Sequence, residues 1–121
     1  FRVAECFVKA TEGDTLTDED LNASPNSNIE NGADIATYGS GVLKKINSWR
    51  EDAPENTGSK LMTTYFGEQT LHVVLERTAW HSAQHTRQLL MVLEILGIEP
   101  DGPLCAQDLA GLPMPKGVWD H

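Results

Sequence analysis

The decapeptide WHSAQHTRQL, Trp80 to Leu89, sets His81 and His85 four residues apart within a run of helical periodicity. On an α-helix each residue advances about 100°, so the two imidazoles stand roughly 40° apart on one side, one turn above the other. Neutral imidazoles so placed can grip one transition-metal ion together, which makes His81 and His85 the candidate metal ligands. A zinc site wants at least a third protein donor, and a catalytic one keeps a further position open for water or substrate. His72, nine residues before His81, falls on roughly the opposite side of the same helix and is expected to face solvent, while His121 ends a loop-like tail. The third donor must come from another element.

Two familiar metal patterns are missing. A zinc-protease helix reads HExxH, but Ser82 follows His81, so the general base is lacking. Di-iron helices carry Glu three residues before His, and here those positions are Thr78 and Ser82. The alternative to a metal is hydrogen bonding, because a buried imidazole without a partner costs about 1–3 kcal/mol. Thr78, Ser82, Gln84 and Gln88 are the local partners on offer.

The helix that carries the pair is predicted over about Glu68 to Leu96, capped by Gly97 and followed by Pro100. Its apolar stripe is Leu71, Val74, Leu75, Thr78, Ser82, Leu89, Val92, Leu93 and Leu96. His85 falls within this stripe and His81 on its border, so both rings are expected to point inward or toward the edge of a cleft. Trp80, Met91 and Ile95 form a second apolar flank, as in a helix covered on two sides by neighbours or by a twin subunit.

Upstream, FRVAECFVKATEG spaces Phe1, Ala4, Phe7 and Val8 at helical intervals, which predicts a helix already under way at Phe1 and ending near Thr11. Thr17 stands three residues before Asp20, a start like a capping box for a short helical turn. From about Ala33 to Glu51 the residues Ile35, Tyr38, Val42, Ile46 and Trp49 recur at steps of three and four, predicting a second long helix. Gly39 and Gly41 each cost it about 1 kcal/mol relative to alanine, and they point to close approach of another element or to a tolerated blemish. LMTTYFGEQT has the β-branched and aromatic content of a strand but no evident partner, so it is read as a loop. The proline- and glycine-rich tail after Gly97 retains Leu104, Leu109, Leu112, Met114, Val118 and Trp119, enough to pack down on the helices. These patterns predict a single all-α domain over residues 1–121, a helical bundle.

Composition excludes several function classes. A chain of 121 residues carrying a net charge of −9, with nine Lys and Arg in all, has no basic stripe for nucleic acid. No apolar run reaches the roughly 18–20 residues that span a bilayer, so a soluble protein is expected. EGDTLTDED, Glu12 to Asp20, lacks the alternating ligand spacing and central glycine of a calcium loop. Cys6 and Cys105 lie far apart and outside any CxxC pattern, which predicts free buried thiols in a reducing cytoplasm.

LERTAWHSAQHTRQLLMVLEILGIEPDGPL, followed by LAGLPMPKGVWD, resembles the DinB-like superfamily, in the branch that carries a WHxxQHxRQL helix. FRVAECF and ADIATYG resemble further stretches of that branch, so the likeness covers most of the chain. The resemblance implies a four-helix bundle holding a divalent metal, zinc or nickel, on three histidines, two of which match His81 and His85. The third family histidine precedes the FRVAE stretch. The first helix and the third ligand are therefore expected to be missing, as in an N-terminally incomplete bundle or one completed by dimerisation, and a homodimer is the expected assembly.

Members of that superfamily include S-transferases and an isomerase that use low-molecular-weight thiols. The implied activity is attack of a metal-activated thiolate on an electrophilic small molecule. His81 and His85 are the ligands in that scheme, and Gln84 and Gln88 are candidate supporting or substrate contacts. The competing expectation is a non-catalytic helical bundle, a ligand-binding or assembly module with a degenerate metal site.

Overall fold

The computed structural model describes residues 1–24 and 28–112. Helix α1 (Arg2–Gly13) buries Cys6, Phe7, Val8 and Ala10, which recur on one side of the helix as its periodicity requires. It ends two residues later than the sequence suggests. The left-handed capping position belongs not to Gly13 but to Asp14, at φ 59, one of the few residue types that tolerates that region. Strand β1 (Thr15–Leu16) follows, then the short helix α2 (Asp18–Asn22). The Thr17 side chain accepts from the Asp20 backbone N–H and Asp20 reaches back to the Thr17 N–H, the reciprocal capping box expected there.

Helix α3 (Gly32–Asp52) opens on a second capping box, Asn31 with Asp34, for which the Asn-x-x-Asp spacing was a usable but unread signal. Val42 is buried, and Ile46 and Trp49 lie half-buried at the rim of the core. The Phe7 and Trp49 rings meet edge to face at 5.1 Å, and the Tyr38 hydroxyl donates to Glu5 Oε2 at 2.6 Å, so α1 and α3 are joined at two points along their length. Gly39 is explained by close approach. The Phe1 ring lies so near that a β-carbon there would stand 2.5 Å from its Cζ, whereas Gly41 faces open space.

The all-α expectation does not hold. Strands β2 (Leu61–Thr64) and β3 (Gly67–Thr70) form an antiparallel hairpin, and β1 adds to β2 in parallel, with Thr15 opposite Thr63 and Leu16 opposite Thr64. The result is a three-stranded mixed sheet in the order β1-β2-β3, not the four-helix bundle that the resemblance implied. LMTTYFGEQT, expected to be a loop for want of a partner strand, contains two strands and the turn between them. Tyr65 and Phe66 make that turn without positive φ, and Gly67 supplies the left-handed residue after it, at φ 106. Along β2 the side chains alternate, with Met62 and Thr64 buried and Leu61 and Thr63 exposed. Because Gly67–Thr70 is strand, the last helix, α4 (Leu71–Ile95), begins three residues after the predicted start. The Thr70 hydroxyl accepts from the Val73 N–H at 3.4 Å at its entry.

The chain divides into two compact units, Phe1–Thr78 and Ala79–His121, with the division inside α4. The core of the first unit is Cys6, Phe7, Val8, Ala10, Leu16, Met62, Leu71 and Val74, with Leu21, Ile46, Trp49 and Leu75 packed around it. The second contains the C-terminal part of α4, a Gly97 cap at φ 68, and the loop that follows. The tail residues Met114, Val118, Trp119 and His121 lie outside the described residues. Among the described residues, no helix is long and apolar enough to cross a membrane.

Candidate metal site on helix α4

Helix α4 places His81 and His85 as the spacing requires. Their Nε2 atoms approach to 3.0 Å, with ring centroids 4.4 Å apart and planes inclined at 79°. A third contact fixes the arrangement, since His85 Nδ1 lies 2.7 Å from Gln88 Oε1. With the amide oxygen facing it, Nδ1 carries the proton and donates, so His85 Nε2 keeps its lone pair directed at His81. This Gln88 contact is the hydrogen-bonding role that the sequence offered as the alternative to a metal. Gln84 is buried, and Trp80 sits edge-on to His81 at 6.4 Å.

A separation of 3.0 Å suits a proton shared between the two nitrogens, and it also suits an ion. Two metal–nitrogen bonds of about 2.0–2.1 Å put their nitrogens about 2.9 Å apart at a right angle and about 3.4 Å apart at the tetrahedral angle. With His85 Nε2 accepting, the proton of this contact lies on His81 Nε2, so an ion would have to replace that proton and the rings would have to turn to aim both lone pairs at it. The expected burial is not what the structure shows: His85 is exposed and His81 half-buried. The stripe containing His85 is covered over Leu71, Val74 and Thr78 but bare over Leu89, Val92 and Leu96. An exposed pair lets an ion enter, and it also lets water compete for each ligand.

Among the described residues, no third donor completes the pair. Among the described residues, no group of three or more His, Cys, Asp or Glu side chains is arranged to hold a metal ion. His72 is exposed, as expected, and stands 3.9 Å from Glu76 Oε1. Of the three ligands that the resemblance calls for, the described residues bring two together.

The thiols play no part in this pair. Cys6 is buried and its Sγ donates to the Asp20 carbonyl at 3.0 Å, and burial pushes its pKa up, away from a reactive thiolate. Cys105 is exposed, contrary to the expectation of two buried thiols.

A feature that no sequence motif announced lies in the first unit, a cleft of about 1230 Å³ flanked by Arg2, Lys9, Lys44, Lys45, Trp49 and Lys60. Five of the nine Lys and Arg of an acidic chain gather there. Most of that charge is already answered, by the pairs Arg2–Glu5, Lys9–Asp20 and Lys60–Asp14. The remaining Lys44 and Lys45 share the lining with Glu12 and Asp52, which leaves the groove little net charge of either sign. No spacing rule could reveal it, because its residues come from three separate elements.

No family model, curated protein or solved structure matches this chain.

Proposed function

We propose that this chain is a divalent-metal-binding protein of DinB-like type, with His81 and His85 as two ligands of a zinc or nickel ion. The single observation that carries the reading is the convergence of the two Nε2 atoms to 3.0 Å, with His85 oriented from behind by Gln88. Such an ion, when it keeps an open position, lowers the pKa of a bound thiol and so supplies a thiolate for attack on an electrophile. The activity that follows is a thiol-dependent S-transferase acting on a small electrophilic molecule in the cytoplasm, where thiols stay reduced. His81 and His85 hold and position the ion in this scheme, and Gln88 sets the tautomer of His85.

Metal content tests the reading directly. Purified protein equilibrated with zinc or nickel and then desalted should retain the ion, and the His81→Ala, His85→Ala double variant should not. Equal and negligible metal in both proteins removes the chemistry altogether.

A second reading is a ligand-binding or assembly module in which the histidine pair does no catalysis. The lack of a third donor among the described residues favours it. Metal-loaded protein assayed for thiol transfer to a generic electrophile separates the two, since only the first predicts turnover that disappears with His85→Ala.

A further inference from the structure

The cleft of the first unit carries little net charge, yet its charges are sorted along its length. Helices α1 and α3 run beside it in the same direction, since Phe1 lies against Gly39 and, further along both helices, Phe7 meets Trp49. On the α3 wall Lys45, Trp49 and Asp52 follow at steps of four and three, one line down the side that faces the cleft. Lys44 stands beside Lys45 ahead of the indole, and Glu12, five residues past Phe7 on α1, joins Asp52 beyond it. Among the described residues these four charges make no salt bridge, while Arg2, Lys9 and Lys60 are paired with Glu5, Asp20 and Asp14. With those pairs set aside, the cleft has two ammonium groups at one end, two carboxylates at the other and a half-buried tryptophan between them.

We propose that this cleft binds a zwitterionic ligand lengthwise, a short peptide with free termini, its carboxylate at Lys44 and Lys45, its ammonium at Glu12 and Asp52, and an apolar side chain against Trp49. The site lies wholly within the first unit and uses neither His81 nor His85. Charge order selects the class, because a ligand of one sign is repelled at one end as much as it is attracted at the other, whereas a zwitterion is attracted at both. Length selects the size. Seven residues of helix separate Lys45 from Asp52, about 10.5 Å along the axis, and an extended chain covers about 3.3–3.6 Å per residue, so three residues bring both termini to their ends and the central side chain to the indole. The cleft volume of about 1230 Å³ exceeds the roughly 300–1,000 Å³ of a compact ligand pocket, as an elongated occupant requires. Lys44, Lys45, Glu12 and Asp52 are exposed, so each ion pair is screened and the ring contact carries a share of the affinity. Binding is therefore weak and sensitive to salt.

Titration of the isotope-labelled full chain with glycyl-phenylalanyl-glycine at low salt, followed by proton–nitrogen spectra, decides the matter. The expected result is a saturable shift of the Trp49 indole signal and of the amides around Lys45 and Asp52 at millimolar peptide. Acetylating the peptide's amino end or amidating its carboxyl end should each weaken binding about fivefold. Lys45→Glu should weaken the free peptide by a similar factor yet make little difference to the amidated one, and Asp52→Lys should do the same for the free and the acetylated forms. Both positions are exposed, so circular dichroism should stay unchanged in the two variants. Lack of a saturable shift overturns the site. Equal affinity for free and doubly blocked peptide overturns the zwitterionic class, and charge reversals that weaken free and blocked peptides alike overturn the assignment of each terminus to its end.

Discussion

Gln88 offers the sharpest test of how the histidine pair is prepared for an ion. Its Oε1 atom lies 2.7 Å from His85 Nδ1, the contact that in the proposed site would turn Nε2 toward a metal. Replacing it in Gln88→Ala keeps helix propensity high, so stability should change by no more than about 0.5 kcal/mol. The imidazole then loses the acceptor that fixes its orientation. Partners of this kind are worth about 10–100-fold in metal affinity. His85 is exposed and water can replace the amide in part, which places the expected loss at the lower end, about tenfold or 1.4 kcal/mol. Zinc competition against a chromophoric chelator measures the loss, and long-range proton–nitrogen spectra of the imidazole report the tautomer without metal. An unchanged affinity, together with a His85 ring that carries its proton on Nε2 in the parent protein, would refute the argument.

Other consequences are independent of metal. Phe7 is fully buried and stacked edge-on to Trp49, so Phe7→Ala should cost about 3–5 kcal/mol in urea unfolding, read from tryptophan fluorescence. Lys9, with help from Thr17, holds the Asp20 carboxyl down at about 2; a depressed carboxylate stabilises the fold above its ordinary value near 4 and that contribution is lost as pH falls from about 4 to about 2. Lys9 is well exposed to solvent, so screening limits the effect to about 1 kcal/mol, and Asp20→Asn should lower the urea midpoint at pH 7 while leaving it unaltered near pH 2. Gly41→Ala, into open space, should stabilise α3 by about 1 kcal/mol, whereas Gly39→Ala should gain less because the new methyl must displace the Phe1 ring; equal gains in thermal unfolding at the two sites would contradict that close approach.

The helices were legible because their signals are local. Phe7 and Val8 in α1, the Thr17 and Asp20 cap of α2, Val42 to Trp49 in α3 and the Gly97 stop after α4 each depend on residues within a turn or two of one another. The sheet was not legible for the opposite reason. Thr15 and Leu16 are too few to show a period, and they pair with Thr63 and Thr64, nearly fifty residues away, through a parallel register that no turn motif encodes. The hairpin gives no sequence signal because its turn, Tyr65-Phe66, lacks the Asn-Gly or Asp-Gly signature of the commonest two-residue turns. For the site, sequence placed both imidazoles on one side of a helix and named Gln88 as a partner, and the structure adds the 3.0 Å convergence.

Sequence also implied burial for His85, and here the error is instructive. A stripe of apolar positions states which side of a helix seeks cover, not what provides it. Over Leu71, Val74 and Thr78 the cover is the core of the first unit, and four residues beyond His85 the same stripe meets water at Leu89. The two histidines stand where that change occurs. A metal pair at the covered end of the stripe would bear a desolvation cost and need all its donors from its own fold. At the bare end the rings keep their water, so the desolvation cost is small and water competes for each ring nitrogen.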